Sequence, residues 1–198
     1  MSEVETLWST LEDDELRPAV GAAELEVDGP SPLPPLEVEV IRSSKRRKTV
    51  TASLVGANKV VVRMPTYMTK AEEEEYVATL VARLERRRIS DAVDLPARAR
   101  TLALRYDLPE PVSIRFVSNQ AQRWGSCTPS TREIRLSDRI SGFPQWVLDA
   151  VIVHELAHLV HAGHTPEFWE LANRYPRTER AYGFLIAKQL TDDEVDEG

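Results

Sequence analysis

The sequence predicts an α+β fold, a small N-terminal β-sheet followed by helices, one of which carries a His-Glu-x-x-His motif. Three observations predict it. Residues 36–42 (Leu-Glu-Val-Glu-Val-Ile-Arg) alternate with the two-residue period of a strand. Thr49–Leu54 and Lys59–Arg63 are rich in β-branched residues and flank a turn at Gly56-Ala57-Asn58. Residues 147–160 form an apolar stretch, interrupted at helical spacing by His154, Glu155 and His158.

The remaining elements follow in order. Thr69 reads as the N-cap of a helix from Lys70 to about Arg88. A second helix is predicted over Asp94–Tyr106, with Pro96 in its first turn. Val112–Ser118 and Arg132–Leu136 read as paired strands around a loop, Asn119–Ser130. Pro144 opens the long apolar helix, expected to end near Ala162-Gly163, where glycine can take the left-handed conformation that stops a helix. Thr165-Pro166-Glu167 is an N-cap, N1 and acidic first-turn sequence for a helix reaching about Tyr175 and stopped by Pro176. A last helix spans about Glu179–Leu190.

The 198 residues suit one domain with tails: an acidic, proline-stiffened tail and linker at 1–35, a domain at 36–190 and an acidic tail at 191–198. Within the first of these, Trp8 and Leu11 could form a short amphipathic patch. A single cysteine, Cys127, excludes an internal disulfide and fits a reducing compartment. No apolar run approaches the roughly 20 residues of a spanning helix, and the acidic N-terminus is unlike a secretory signal. The expected location is therefore the cytoplasm, with no membrane contact. The net charge of −7 is segregated: residues 1–35 carry nine acids and one arginine, whereas residues 36–140 carry 20 basic and 13 acidic residues. Basic residues 42–48 could meet a nucleotide or nucleic acid.

All four histidines lie within residues 154–164, His-Glu-Leu-Ala-His-Leu-Val-His-Ala-Gly-His. His154 and His158, four apart on a helix, share a face and can meet at one metal ion, for which neutral imidazole suits zinc. Glu155, beside the first ligand, is placed to take a proton from a water activated by the metal. A buried helix would not carry these polar groups without partners. A catalytic zinc site usually has three protein ligands, and His161, His164, Glu167 and Glu170 compete for the third place. His161 lies two turns along the helix from His154. His164 follows the expected glycine stop, where the chain can fold back, and is the preferred candidate.

Together with His154–His158, the segments Gly163-His164-Thr165-Pro166-Glu167-Phe168-Trp169, Arg123-Trp124-Gly125-Ser126-Cys127 and Ile41-Arg42-Ser43-Ser44-Lys45-Arg46-Arg47-Lys48-Thr49 resemble the YgjP-like family of small zinc metallopeptidase domains, related to the SprT/Wss1 group. The resemblance covers about residues 38–190. It implies a zincin-like α+β fold, zinc as cofactor, His154, His158 and His164 as ligands, Glu155 as catalytic base, and a protein or peptide substrate. The metzincins share the spacing of the three histidines, but have glycine where this chain has His161 and need a downstream methionine turn. Here Met1, Met64 and Met68 all lie upstream.

Two other activities compete with peptide hydrolysis. Lys45–Lys48 and Arg123 would suit a zinc-dependent nucleotide phosphohydrolase. The SprT/Wss1 relationship and the basic middle segment would suit a protease acting on DNA-associated proteins. Arg123, Tyr175 and Tyr182 are candidates for stabilising an oxyanion. Cys127 reads as a small buried residue first and as a thiol near zinc second. Trp124, Phe168 and Trp169 are expected to pack against the metal-binding helix, and Trp146 to lie in the core.

Overall fold

Two three-stranded sheets, each packed against helices, make up the fold of the described residues. The computed structural model describes residues 33–196. Residues 1–32, including Trp8 and Leu11, lie outside the described residues, and residues 33–36 enter the first strand without regular structure.

The first layer is a three-stranded sheet with β1 (Glu37–Ser43), β2 (Thr51–Val55) and β3 (Lys59–Pro65) in the order β1-β3-β2. β2 and β3 form an antiparallel hairpin, and Gly56 takes φ +68° in its turn, a conformation that glycine adopts without strain. β1 runs parallel to β3, with Val40 opposite Val62. The alternation of β3 turns Val60, Val62 and Met64 to one face. There they meet Val77, Leu80, Val81 and Leu84 of α1 (Lys70–Ala92), which recur at helical spacing. The predicted N-cap holds: Thr69 accepts from the Glu72 backbone, and the Glu72 side chain accepts from the Thr69 backbone. The helix runs four residues beyond the expected Arg88.

The second layer surrounds α3 (Gln145–Ala157), in which every residue from Val147 to Ala157 is buried. α2 (Leu95–Arg105) packs on it through Ala99 and Leu102, and a second sheet lies beside it. That sheet has the order β4-β6-β5, with β4 (Ser113–Val117) parallel to β6 (Glu133–Ser137) and β5 (Gly125–Thr128) antiparallel to it. The expected pairing of the flanking strands is thus present. The expected loop between them is not all loop, because its second half pairs with β6 as β5. A 3-10 turn over Asp138–Gly142 leads into α3. Its Ser141 hydroxyl donates to the Arg86 carbonyl at 3.3 Å, tying α1 to the second layer.

One charge pair crosses the helix core. Arg98 on α2 meets Asp149 on α3 through two parallel contacts, one of them Nε to Oδ1 at 2.7 Å, and Gln145 donates to the same carboxylate at 3.0 Å. Bidentate geometry and an added donor are what a buried carboxylate needs to offset its desolvation.

α3 ends earlier than expected. His158 is its C-cap, and Leu159 and Val160 donate to Leu156 and Ala157 in tighter three-residue bonds. Gly163 is not in the left-handed region, so it is not the stop. α4 (Pro166–Ala172) follows its Thr165 cap and is three residues shorter than expected. α5 (Thr178–Asp196) continues past Leu190. Among the described residues, no helix is long and apolar enough to cross a membrane.

Candidate metal centre

The last turn of α3 and the segment after it place three imidazoles around one point. His154 Nε2 lies 3.2 Å from His158 Nε2 and 3.2 Å from His164 Nε2. The three donor atoms lie within 4.8 Å of one another. Two nitrogens each about 2.05 Å from a tetrahedral zinc stand roughly 3.3 Å apart, so the two 3.2 Å separations match one ion, and the third pair would close on it. The early end of α3 is part of this geometry. It turns the chain so that the His161 carbonyl faces His158 Nδ1 at 3.0 Å. With a proton on Nδ1, that contact is a hydrogen bond and leaves the His158 Nε2 lone pair facing the centre.

α4 supplies the walls. Phe168 is fully buried and stacks on the His158 ring at 4.4 Å, while Trp169 stacks on His164 at 5.6 Å. The expected packing of Phe168 and Trp169 is therefore direct contact with the imidazoles. Burial favours the neutral form of all three rings: it pushes the His154 pKa well below its usual value, helped by His158 and His164, and lowers those of His158 and His164. Neutral imidazole is the metal-binding form.

Glu155 points to the other side of the same pocket, which has a volume of about 230 Å³ and is lined by Arg123, Gly125, Cys127, His154, Glu155 and Tyr182 among others. Its carboxylate is buried, and Oε2 has no hydrogen-bond partner. A buried carboxylate oxygen left unpaired is costly, and an incoming water or substrate proton would satisfy it. Burial raises the Glu155 pKa to about 8, with Arg123 pulling it down.

Gly125 explains how Glu155 fits. A Cβ at this position would lie 2.9 Å from Glu155 Cδ and collide with its Oε1. The glycine of Arg-Trp-Gly-Ser-Cys thus lets β5 approach the carboxylate closely. β5 is held in place by pairing with β6, and Ser137 N–H donates to the Trp124 carbonyl at 2.9 Å. Trp124 is buried as expected, under the Arg139 guanidinium at 4.4 Å.

The other residues singled out from the sequence divide clearly. Arg123 and Tyr182 line the pocket, whereas Tyr175 packs edge-on against Tyr106 and is not part of the lining. His161 contributes its carbonyl rather than its ring, and Glu167 and Glu170 are exposed, outside the histidine cluster. Cys127 is half-buried at the pocket, and burial pushes its thiol up to about 12, so the thiolate is disfavoured. Trp146 is half-buried against Phe184, with Arg180 over its ring. None of residues 42–48 lines the pocket: Arg42 binds the Met68 carbonyl and Glu73, and the Arg47 carbonyl accepts from Tyr67.

Two features were invisible to local pattern. Asp149 reads from sequence as one more helix residue, yet it is the buried anchor of α3. Tyr182, 28 residues from His154, places its hydroxyl 3.2 Å from that residue's Nδ1.

Residues 45–182 match the YgjP-like metallopeptidase domain family. Among solved structures, the crystal structure of the metallopeptidase zymogen of Methanocaldococcus jannaschii jannalysin is similar at 19% identity with a TM-score of 0.43, over 49% of this chain and 98% of that one. No curated protein matches.

Proposed function

Because the chain belongs to the YgjP-like metallopeptidase family, we propose that it is a zinc-dependent peptidase in which His154, His158 and His164 hold the metal and Glu155 is the general base. The observation that carries this reading is the convergence of three imidazole nitrogens beside an unpaired, buried carboxylate oxygen. Bound there, zinc would polarise a scissile carbonyl and acidify a water.

The chain's own residues account for the proton's path. Glu155 Oε2 accepts a proton from the attacking water as its oxygen bonds to the carbonyl carbon. The same carboxyl then gives that proton to the amide nitrogen as the carbon–nitrogen bond breaks. Without metal, burial raises the Glu155 pKa to about 8 against the pull of Arg123; a dication bound beside it would lower it again and favour the carboxylate that accepts the proton. Arg123 and Tyr182 line the pocket and are candidates to donate to a developing oxyanion. β5 is the edge of its sheet and borders the pocket, so an extended peptide can add to it as a further strand.

The phosphohydrolase reading leans on Lys45–Lys48 and Arg123, and the reading of a protease acting on DNA-associated proteins leans on the basic middle segment. Arg123 lines the pocket but residues 42–48 do not, and no observation favours either reading over peptide hydrolysis. The test is Glu155→Gln assayed on unfolded protein substrates. Cleavage should fall by about 10²–10⁴-fold while metal content stays at the wild-type level. Cleavage at the wild-type rate would exclude the assignment of Glu155.

A further inference from the structure

The three imidazoles differ in where their second nitrogen goes. His158 Nδ1 meets a backbone carbonyl, that of His161. His164 is half-buried at the pocket, where water can reach it. His154 is buried, at 7% exposure, and its Nδ1 faces a side chain, the Tyr182 hydroxyl at 3.2 Å. His154 is also the common member of the cluster, since its Nε2 is close to both other Nε2 atoms. Its tautomer therefore decides whether the site can form. A proton on Nδ1 leaves the Nε2 lone pair facing the centre. A proton on Nε2 fills that centre.

We propose that Tyr182 is a positioning residue for the metal, accepting the His154 Nδ1 proton and so holding the imidazole with Nε2 free for coordination. The inference rests on the three-histidine reading above. A hydroxyl both donates and accepts. In the metal-free protein the Tyr182 O–H can donate to an unprotonated Nδ1. With a metal held by Nε2, it would instead accept Nδ1–H. Both states then keep the buried nitrogen paired, as an acceptor-only carboxylate in that place would not. The tyrosine is held from outside the metal-binding segment: it stands on α5 and packs edge-on against Trp169 at 5.8 Å, the ring that stacks on His164. A phenol with its ordinary pKa of about 10 is neutral near pH 7, so the group acts as a hydroxyl. This role differs from that of an oxyanion donor. The donor would act on substrate, whereas the positioning residue acts before substrate arrives.

Tyr182→Phe removes the hydroxyl and keeps the ring. Outer partners of metal-bound histidines typically carry 10–100-fold of metal affinity. Zinc affinity of the full chain, measured by competition with a chromophoric chelator at a temperature where the metal-free variant is folded, should weaken by about that factor in Tyr182→Phe. Nitrogen-15 NMR of the zinc-loaded wild type should show His154 with a slowly exchanging Nδ1 proton, and that proton should exchange faster in the variant. An unchanged zinc affinity, with cleavage alone reduced, would overturn the proposal and assign Tyr182 to the oxyanion. If the variant does not fold, the wild-type spectrum decides: a protected Nδ1 proton supports the proposal, and its absence overturns it. Failure of wild type to bind zinc at all would instead remove the three-histidine reading, and this inference with it.

Discussion

Helices α1 and α3 are held in opposite ways. α1 has 23 residues and none of them is fully buried. Its order comes from the Thr69–Glu72 capping box, a half-buried apolar stripe on the first sheet, and exposed pairs such as Lys70–Glu74. α3 has 13 residues, buried without a break from Val147 to Ala157, and its first residue follows a proline that provides no side-chain cap. Burial on all sides replaces capping there. It also means that each polar side chain on α3 needs a named partner: Arg98 and Gln145 for Asp149, Tyr182 for His154. Glu155 Oε2 is the exception, and that exception is where the chemistry is proposed. A helix buried on all sides around such an unpaired carboxylate should tolerate substitution less than a surface helix does.

Substitutions can break or sharpen this contrast. Asp149→Ala strands a half-buried guanidinium and should cost about 3–5 kcal/mol, read as a lower denaturant midpoint. A loss below about 1 kcal/mol, the range of an exposed pair, would mean that α3 does not depend on this contact. Gly125→Ala places a methyl group against the Glu155 carboxylate. Displacing a catalytic group by an ångström costs on the order of 10²-fold in rate, so cleavage should fall by about that much with zinc content unchanged. Wild-type cleavage would show that Glu155 has room to move. On α1, Thr69→Ala removes one half of the capping box and should cost about 1 kcal/mol, with cleavage per folded molecule unaffected. An activity loss beyond the folded fraction would show that α1 shapes the pocket, which the contrast denies.

The same contrast explains what the sequence made legible. α1 and α2 follow local rules, caps, prolines and periodicity, and their starts agree with those rules. The partners of α3 do not, because they come from far along the chain. Arg98 and Asp149 are 51 residues apart, and His154 and Tyr182 are 28 apart. β5 was hidden for a related reason. Gly125-Ser126-Cys127-Thr128 is short and weak in strand formers, and only pairing with β6 makes it a strand. The glycine that lowers its propensity is the one that admits Glu155. The end of α3 was misplaced because Leu159 and Val160 continue the apolar pattern, while the chain tightens at His158. The histidine cluster was legible because its spacing is local and its residues are rare. The third histidine, six residues after His158, stands in the cluster, and the carboxylates that competed with it on α4 stand outside.

The central claim is that His154, His158 and His164 form one metal site. It is tested most directly by the zinc stoichiometry and affinity of the chain beside those of His164→Ala. The account predicts one zinc per chain in wild type and a large loss of affinity in the variant, with the fold retained. Equal binding by the variant, or no zinc in wild type when the metal is supplied, would contradict it.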